Sequence, residues 1–136
     1  MGILWHKDSD SSVNIIDDGG ERIQCIEITQ EHGKPIIIIS VYMPTSGDSA
    51  RTMEYQDTVD QMFEIYKKYQ NTHYIVIGGD LNEDLYVHTA NRRKSYILDF
   101  INECNLCFNT DRKIFVNSKG EDCSEIDYFL IDKRMY

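Results

Sequence analysis

The pattern of apolar and polar positions predicts a chain built mainly from short β-strands. Apolar or alternating runs of roughly four to eight residues, bounded by Gly, Pro, Asp or Asn, are typical of strands. In the first third of the chain such runs occupy residues 2–5, 13–16, 23–30 and 36–41. Further along they occupy residues 74–79, 107–108, 114–116 and 125–131. Strands therefore outnumber helices in the predicted fold.

Two other segments carry apolar residues at helical spacing. The first, residues 50–69, has Asp48 or Ser49 as its N-cap and places Tyr55, Val59, Met62, Phe63 and Tyr66 on one face. The second, residues 96–104, places Ile97, Phe100, Ile101 and Cys104 on one face. These stripes are typical of core packing and not of a cofactor site. With hairpin turns predicted at residues 17–20 and 31–35, the elements form a mixed α/β sandwich.

Two strands differ in how they are expected to be buried. Residues 23–30 alternate, and we expect Ile26 and Ile28 to lie on the buried face. Residues 36–41 are apolar except for Ser40, so this strand is expected to be covered on both faces.

One strand ends in residues suited to chemistry. The run Tyr74–Ile77 stops at Gly78 and Gly79, which allow a sharp turn, and Asp80 and Asn82 follow. Ligands of open α/β sheets bind beyond the carboxyl ends of strands. A carboxylate and an amide there can orient a water molecule, bind a hard cation or hold a phosphate oxygen. The competing interpretation is a plain turn, because Asp and Asn side chains bond to nearby backbone N–H groups.

Tyr42 and Asp127 are the other candidate site residues. Tyr42 ends its strand just before Pro44, which cannot continue a central ladder. The alternative for Tyr42 is a buried aromatic side chain with its hydroxyl at the rim. Asp127 lies among large apolar residues in the last strand, where a buried carboxylate needs a specific partner. The alternative for Asp127 is an exposed position on an edge strand.

Composition narrows the class of protein. With 136 residues, 41% of them hydrophobic and 27% charged, the chain is at most one globular domain. No apolar run approaches the ~20 residues that span a bilayer, and the start lacks the basic region of a signal peptide. The net charge of −9 argues against a passive nucleic-acid binder. It is compatible with a metal-dependent nuclease, and the short basic runs 67–68 and 92–94 are interpreted as solvated.

The four cysteines are interpreted as reduced, largely buried thiols of an intracellular protein. Cys104 and Cys107 have the spacing of a metal or redox pair, but Cys25 and Cys123 are isolated and no second pair completes a zinc site.

Three motifs in order along the chain carry a family resemblance: Ser40–Pro44, Ile77–Asn82 and Ser124–Leu130. Their order and spacing resemble the endonuclease/exonuclease/phosphatase superfamily. Within this superfamily, the sequence Gly-Gly-Asp-Leu-Asn at residues 78–82 and the segment Gly2–Trp5 are most similar to the endonuclease domains of non-LTR retrotransposons. The resemblance implies that residues 1–136 are a single partial domain of the two-sheet, DNase I-like α/β sandwich, truncated at both ends.

The resemblance also implies roles for four catalytic residues. Tyr42 would hydrogen-bond the scissile phosphate, Asp80 would orient and deprotonate the attacking water, and Asn82 would hold a phosphate oxygen and fix Asp80. Asp127 would hydrogen-bond a histidine and set its tautomer. Asp80 and Asn82 would also contact a metal ion, Mg²⁺ or Mn²⁺. The implied substrate is DNA, the implied location is intracellular and nuclear, and a reverse transcriptase region of the same polyprotein is an implied partner.

Two departures from the family pattern affect the predicted activity. The upstream Asn and metal-binding Glu, and the later Ser-Asp-His, have no counterpart here, and His6, His32, His73 and His88 are not placed to substitute. We therefore expect an internal fragment with uncovered apolar faces that is marginally stable or self-associates. The alternatives to a phosphodiesterase are a non-catalytic remnant or interaction module on the same scaffold, and a phosphatase of small phosphoesters.

Overall fold

The computed structural model describes residues 2–87, 90–108, 115–116, 119, 122–123 and 127–135. A 3-10 helix, Lys7–Ser12, comes before the first strand. The strands are β1 (Val13–Gly20), β2 (Ile23–Ile28), β3 (Ile36–Tyr42), β4 (Tyr74–Asp80), β5 (Leu106–Phe108), β6 (Phe115–Val116), β7 (Asp122–Cys123) and β8 (Asp127–Asp132). The helices are α1 (Ser49–Tyr69) and α2 (Arg92–Glu103), and a 3-10 helix, Lys133–Met135, follows β8.

Six strands form one sheet in the order β1-β2-β3-β4-β8-β5, and β6 pairs with β7 in a separate two-stranded sheet. Within the large sheet β3 and β4 are parallel and joined by α1, whereas the other pairings are antiparallel. A parallel pair requires such a crossover, which the long helical segment supplies. The predicted α/β class is confirmed. A second large sheet facing the first, as in a two-sheet sandwich, is not confirmed.

The hydrophobic core lies between the two helices and one face of the sheet. Alternate residues of β3 and β4, namely Ile37, Ile39, Val41, Ile75 and Ile77, are buried there. They form one cluster with side chains of the helices, among them Tyr55, Met62, Ile97 and Phe100. Asp48 caps α1, as predicted, because its side chain accepts a hydrogen bond from the Arg51 backbone N–H.

The opposite face of the sheet is only partly covered. Ile36 and Ile38 of β3 are half-buried, Ile15 is 75% exposed and Phe129 is 70% exposed. The prediction that β3 is fully covered on both faces is therefore wrong for this face. In β2 it is Ile23 and Cys25 that face the core, and Ile26 is buried on the other side, so both faces of that strand contribute.

Two local predictions near the N-terminus are wrong. Residues 2–5 form no strand, and Leu4 is 98% exposed, because no neighbouring strand pairs with this segment. Residues 17–20 do not form the hairpin turn but belong to β1, and the chain turns at Glu21 and Arg22 instead. The register between β1 and β2 shifts between Ile16 and Gly20, and Gly19 takes φ +115° in this irregular stretch.

The remaining strand predictions agree with the elements above where the structure describes them. Ile114, Glu125 and Ile126, as well as most of the predicted turn at 117–120, lie outside the described residues. Within the described part, no helix has the length and apolarity needed to cross a membrane.

Asp18 links β1 to the end of α1. Its Oδ2 accepts a hydrogen bond from the Tyr69 hydroxyl at 2.5 Å, and its Oδ1 lies 2.9 Å from the Lys68 ammonium. The Tyr69 hydroxyl and then the Lys68 charge lower the pKa of Asp18 below its usual value of 3.8, although partial burial opposes them. The folded state therefore holds the ionised form of Asp18 more favourably than the unfolded state does.

Replacing Asp18 by Asn should lower stability at neutral pH by about 1 kcal/mol, since Lys68 is largely exposed and its charge is screened. Because the folded pKa is the lower one, the stabilisation is present above pH 3.8 and is lost as the pH falls through the folded value. Urea unfolding between pH 7 and pH 3 measures the difference. Asp17→Asn, which removes an exposed carboxylate next in sequence, is the control. Equal pH dependence of the two variants would contradict the assignment.

The exposed apolar face should make the 136-residue chain self-associate. Sedimentation velocity over a concentration series should show a rising apparent mass, which Phe129→Thr and Ile15→Thr reduce. Met53→Thr is the matched control, because Met53 is 65% exposed but belongs to α1 on the helical side. A wild-type chain that stays monomeric, or a Met53 variant that reduces association equally, would show that this face does not drive assembly.

Candidate active site

The predicted site residues meet at one edge of the sheet. The carboxyl ends of the parallel strands β3 and β4 lie there, and antiparallel β8 begins there. The register pairs Tyr42 with Asp80 and Asp80 with Asp127, so the three residues form a lateral row with their side chains on the open face. At the usual strand spacing the row from Tyr42 to Asp127 spans roughly 10 Å.

The two glycines before Asp80 allow the neighbouring strands β3 and β8 to pack closely against β4, and they do not form a sharp turn. Both lie inside β4, which continues to Asp80. Gly79 has φ +140°, and a Cβ there would lie 2.0 Å from the Val41 carbonyl oxygen. A Cβ on Gly78 would lie 2.8 Å from the Phe129 ring. The interpretation of a turn at the glycines is therefore wrong, and the turn begins one residue later.

Asn82 closes the turn that follows β4. Its backbone has φ +49°, a left-handed conformation that Asn tolerates better than most residues. Its N–H donates to Asp80 Oδ1 at 2.8 Å, and its side-chain Nδ2 donates to the Met43 carbonyl at 2.5 Å. The Met43 N–H donates to the Asp80 carbonyl at 2.9 Å. Asn82 thus ties the end of β3 to the end of β4 and orients the Asp80 carboxylate.

The surroundings of Asp80 raise its pKa above the usual value of an aspartate. Partial burial raises the pKa of Asp80, and the neighbouring Asp127 carboxylate raises it further, whereas the hydrogen bond from Asn82 N–H opposes both. Asp127 itself is exposed, so the prediction of a buried carboxylate is wrong. Its strand is not an edge strand either, because β8 lies between β4 and β5. Two carboxylates on neighbouring strands repel each other unless a cation lies between them.

Tyr42 presents its ring to solvent, with 46% of the residue exposed, so the alternative of a buried aromatic is wrong. The Arg22 guanidinium lies 5.7 Å from the centre of this ring, and its Nη1 donates to the Tyr42 carbonyl at 3.2 Å. Glu54 of α1 holds Arg22 by accepting from its Nε at 2.7 Å. Sequence reasoning missed Arg22. No local signal in the sequence points to this contact, because it follows from the β2–β3 register, which pairs Ile23 with Val41.

The residues that could hold a metal ion here carry oxygen ligands, the type that Mg²⁺ takes. Asp80 and Asp127 place two carboxylates on one face, and Asn82, whose backbone N–H bonds to Asp80, carries an amide oxygen as a third candidate ligand. Mg²⁺ is usually held by one or two carboxylates together with water. The structure shows no cluster of three or more His, Cys, Asp or Glu in its described part, which a closed zinc site would need.

The cysteines whose side chains are described are free thiols. They are Cys25, Cys104 and Cys107. Burial raises the pKa of Cys25 to about 11 and that of Cys104 to about 12, so neither is a ready thiolate nucleophile. The side chain of Cys123 lies outside the described residues.

Two of the three basic residues at 92–94 are buried, which corrects their interpretation as solvated. Arg92 is exposed, but Arg93 and Lys94 are 6% and 7% exposed. Arg93 Nη2 donates to the Asn82 carbonyl at 2.7 Å, and Lys94 Nζ donates to the Val87 carbonyl at 2.7 Å. The cause is tertiary, since the N-terminus of α2 packs against the loop that follows β4. Residues 92–94 therefore do not form a basic surface patch, because only Arg92 of the three is exposed.

The fold is that of the nuclease-like phosphoesterases. The profile of the endonuclease-reverse transcriptase family matches residues 36–135, which contain every site residue named above except Arg22. The chain belongs to this family. No curated protein matches the sequence significantly.

Solved structures show the same fold at low sequence identity. The endonuclease domain of TRAS1, a telomere-specific non-LTR retrotransposon, matches with TM-score 0.70 and 14% identity over 93% of this chain and 57% of that one. A 3' phosphatase from Neisseria bound to product DNA hairpin matches with TM-score 0.61 and 15% identity, over 90% and 58% of the two chains. Beta toxin from Staphylococcus aureus matches with TM-score 0.56 and 17% identity, over 82% and 43%. The chain thus spans less than two thirds of each of these structures.

Asn82→Ala should destabilise the chain by about 2–3 kcal/mol, since it combines left-handed strain with loss of the bond to Met43. Asn105→Ala is the matched control, because Asn105 has φ +53° at the other end of the sheet and should show only the strain, about 1–2 kcal/mol. Urea unfolding measures both. Equal losses of stability would show that the Asn82 side chain does not tie the two strand ends together.

Proposed function

We propose that this chain is part of a metal-dependent phosphodiesterase domain that hydrolyses DNA by water attack. The observation that carries the proposal is the lateral row of Tyr42, Asp80 and Asp127 at one sheet edge, with Asn82 bonded to Asp80. Family membership supports the same reaction class.

Asp80 is the general base in this proposal. Its carboxylate is oriented by the Asn82 N–H, and burial raises its pKa, which makes the ionised form a stronger base toward water. Asn82 acts on Asp80 through its backbone N–H and offers its amide to a phosphate oxygen. Tyr42, whose ring is exposed, donates its hydroxyl hydrogen to a non-bridging oxygen where negative charge develops.

A Mg²⁺ or Mn²⁺ ion would be held by Asp80 and Asn82, with Asp127 on the adjacent strand. Such an ion supplies positive charge for the phosphate oxygens and relieves the repulsion between the two carboxylates. Asp127 is further proposed to set the tautomer of a histidine. None of the described histidines bonds to Asp127, and His73 is held by Glu27 through Nε2 at 2.5 Å, beside the start of β4. This role of Asp127 therefore stays a prediction.

DNA is the proposed substrate and the nucleus the proposed location, with a reverse transcriptase region of the same polyprotein as partner. Two observations support a nucleic acid: the family is described as endonuclease-reverse transcriptase, and one similar structure carries a DNA hairpin. The net charge of −9 gives little general attraction to DNA, so binding would depend on the metal and on local cations such as Arg22.

A phosphatase of small phosphoesters is the second candidate, because a 3' phosphatase shares the fold. Three exposed basic side chains at residues 92–94 would have favoured DNA. Arg93 and Lys94 are buried, so this run does not present them on the described surface. Release of phosphate from a 3'-phosphorylated oligonucleotide, without cutting of an intact strand, would favour this candidate.

Plasmid nicking by the purified chain tests the proposal. The expected result is nicking that needs Mg²⁺, stops with chelator and falls about 100-fold or more in Asp80→Asn. Asp99→Asn, a loss of an exposed carboxylate on α2, is the control and should nick like wild type. A chain shown by circular dichroism to be folded that does not nick, or nicking that survives Asp80→Asn, would overturn the proposal. The first result would favour a non-catalytic scaffold.

A further inference from the structure

We infer that Arg93 and Tyr55 are positioning residues that hold the turn Leu81–Asn82 so that Asp80 is correctly oriented; the inference rests on the proposed function. Neither residue belongs to the row at the sheet edge. Both act through the backbone of the turn behind it, from α2 and α1 respectively.

The two side chains bond to consecutive carbonyl groups. The Tyr55 hydroxyl donates to the Leu81 carbonyl at 2.8 Å, and Arg93 Nη2 donates to the Asn82 carbonyl at 2.7 Å. The guanidinium stacks 4.5 Å from the centre of the Tyr55 ring, and its Nε lies 3.2 Å from Glu83 Oε1. Tyr55 is fully buried and Arg93 is 6% exposed. We call this arrangement the Arg93–Tyr55 clamp.

General stability does not account for a guanidinium at this position. Burying a charged pair costs desolvation energy that its attraction often fails to offset. Arg93 Nε and Nη1 are both buried and have no hydrogen-bond partner among the described residues, which adds to that cost. An apolar side chain of similar volume would fill the space without these penalties, but it could not bond to the Asn82 carbonyl.

The clamp acts on a strained turn. Asn82 has φ +49°, and such a conformation persists only when its surroundings hold it. Asn82 N–H is the donor that orients Asp80 Oδ1. Holding the Leu81 and Asn82 carbonyls from behind therefore fixes the direction of this N–H, and through it the general base.

The other end of β4 offers a matched control. Arg134 also pairs with a carboxylate, that of Asp132, and its Nη1 and Nη2 donate to the Gln70 and His73 carbonyls at 2.7 and 3.1 Å. Arg134 thus braces the loop that enters β4, whereas Arg93 braces the turn that leaves it. Losing either arginine leaves the backbone carbonyls that it contacts without that donor, but only the loss of Arg93 should loosen the turn at Asp80.

The test compares Arg93→Met, Arg93→Lys and Arg134→Met in the 136-residue chain. Backbone hydrogen exchange measured by NMR at Asn82 is normalised to the amide of Ile77 in the core of β4. Arg93→Met should raise the normalised exchange at Asn82 by about tenfold or more, Arg93→Lys should restore part of the protection, and Arg134→Met should leave the ratio unchanged. In the nicking assay Arg93→Met should lower kcat with KM little changed.

Equal normalised exchange in Arg93→Met and Arg134→Met would overturn the inference, because Arg93 would then only stabilise the fold. If Arg93→Met does not fold, Tyr55→Phe keeps the ring and removes the bond to Leu81, and it should raise the same exchange ratio. Exchange does not depend on catalysis. A wild-type chain that fails to nick therefore counts against the proposed function, while the exchange ratio still decides whether the clamp holds the turn.

Discussion

The parallel pairing of β3 with β4 is the constraint on which the rest of the structure depends. It brings the carboxyl ends of two strands, separated by a whole helix in sequence, to the same edge of the sheet. It also requires Gly79, since any side chain there would collide with the Val41 carbonyl. If this pairing were lost, Tyr42 and Asp80 would have no fixed relation, although Asp127 would still lie beside Asp80 through the pairing of β8 with β4.

The site costs the fold some stability. Asp80 is partly buried and adjacent to Asp127, Asn82 adopts a left-handed backbone, and Arg93 carries its charge into the interior. Each of these features is unfavourable alone, and the three are neighbours along one strand end. Concentration of strain and of unfavourable charge at one edge of an otherwise regular sheet is typical of a functional site.

Sequence reasoning found the residues that lie on strand ends and missed those that reach the site from elsewhere. Tyr42, Asp80, Asn82 and Asp127 belong to short motifs next to apolar runs. Each motif alone was compatible with a plain structural role, and it was the order of the three motifs that selected these residues. Arg22 and Arg93 belong to a hairpin and a helix, and nothing in their own neighbourhoods indicates what they contact. Charge patterning even misassigned Arg93 and Lys94 to solvent, because a run of basic residues usually lies on the surface.

By itself the sequence determined the identity of most elements and the class of the fold, because these depend on the period of apolar positions and on what Gly, Pro, Asp and Asn do locally. Only the tertiary structure decided that residues 17–20 extend β1 and that Ile23 and Cys25 are the β2 residues that face the hydrophobic core. It also decided that Asp127 is exposed although its strand lies inside the sheet, and that Arg93 lies under the turn. The physical reason is that burial and pairing are properties of contacts between distant segments, and alternation along one segment cannot say which of its faces another segment will cover.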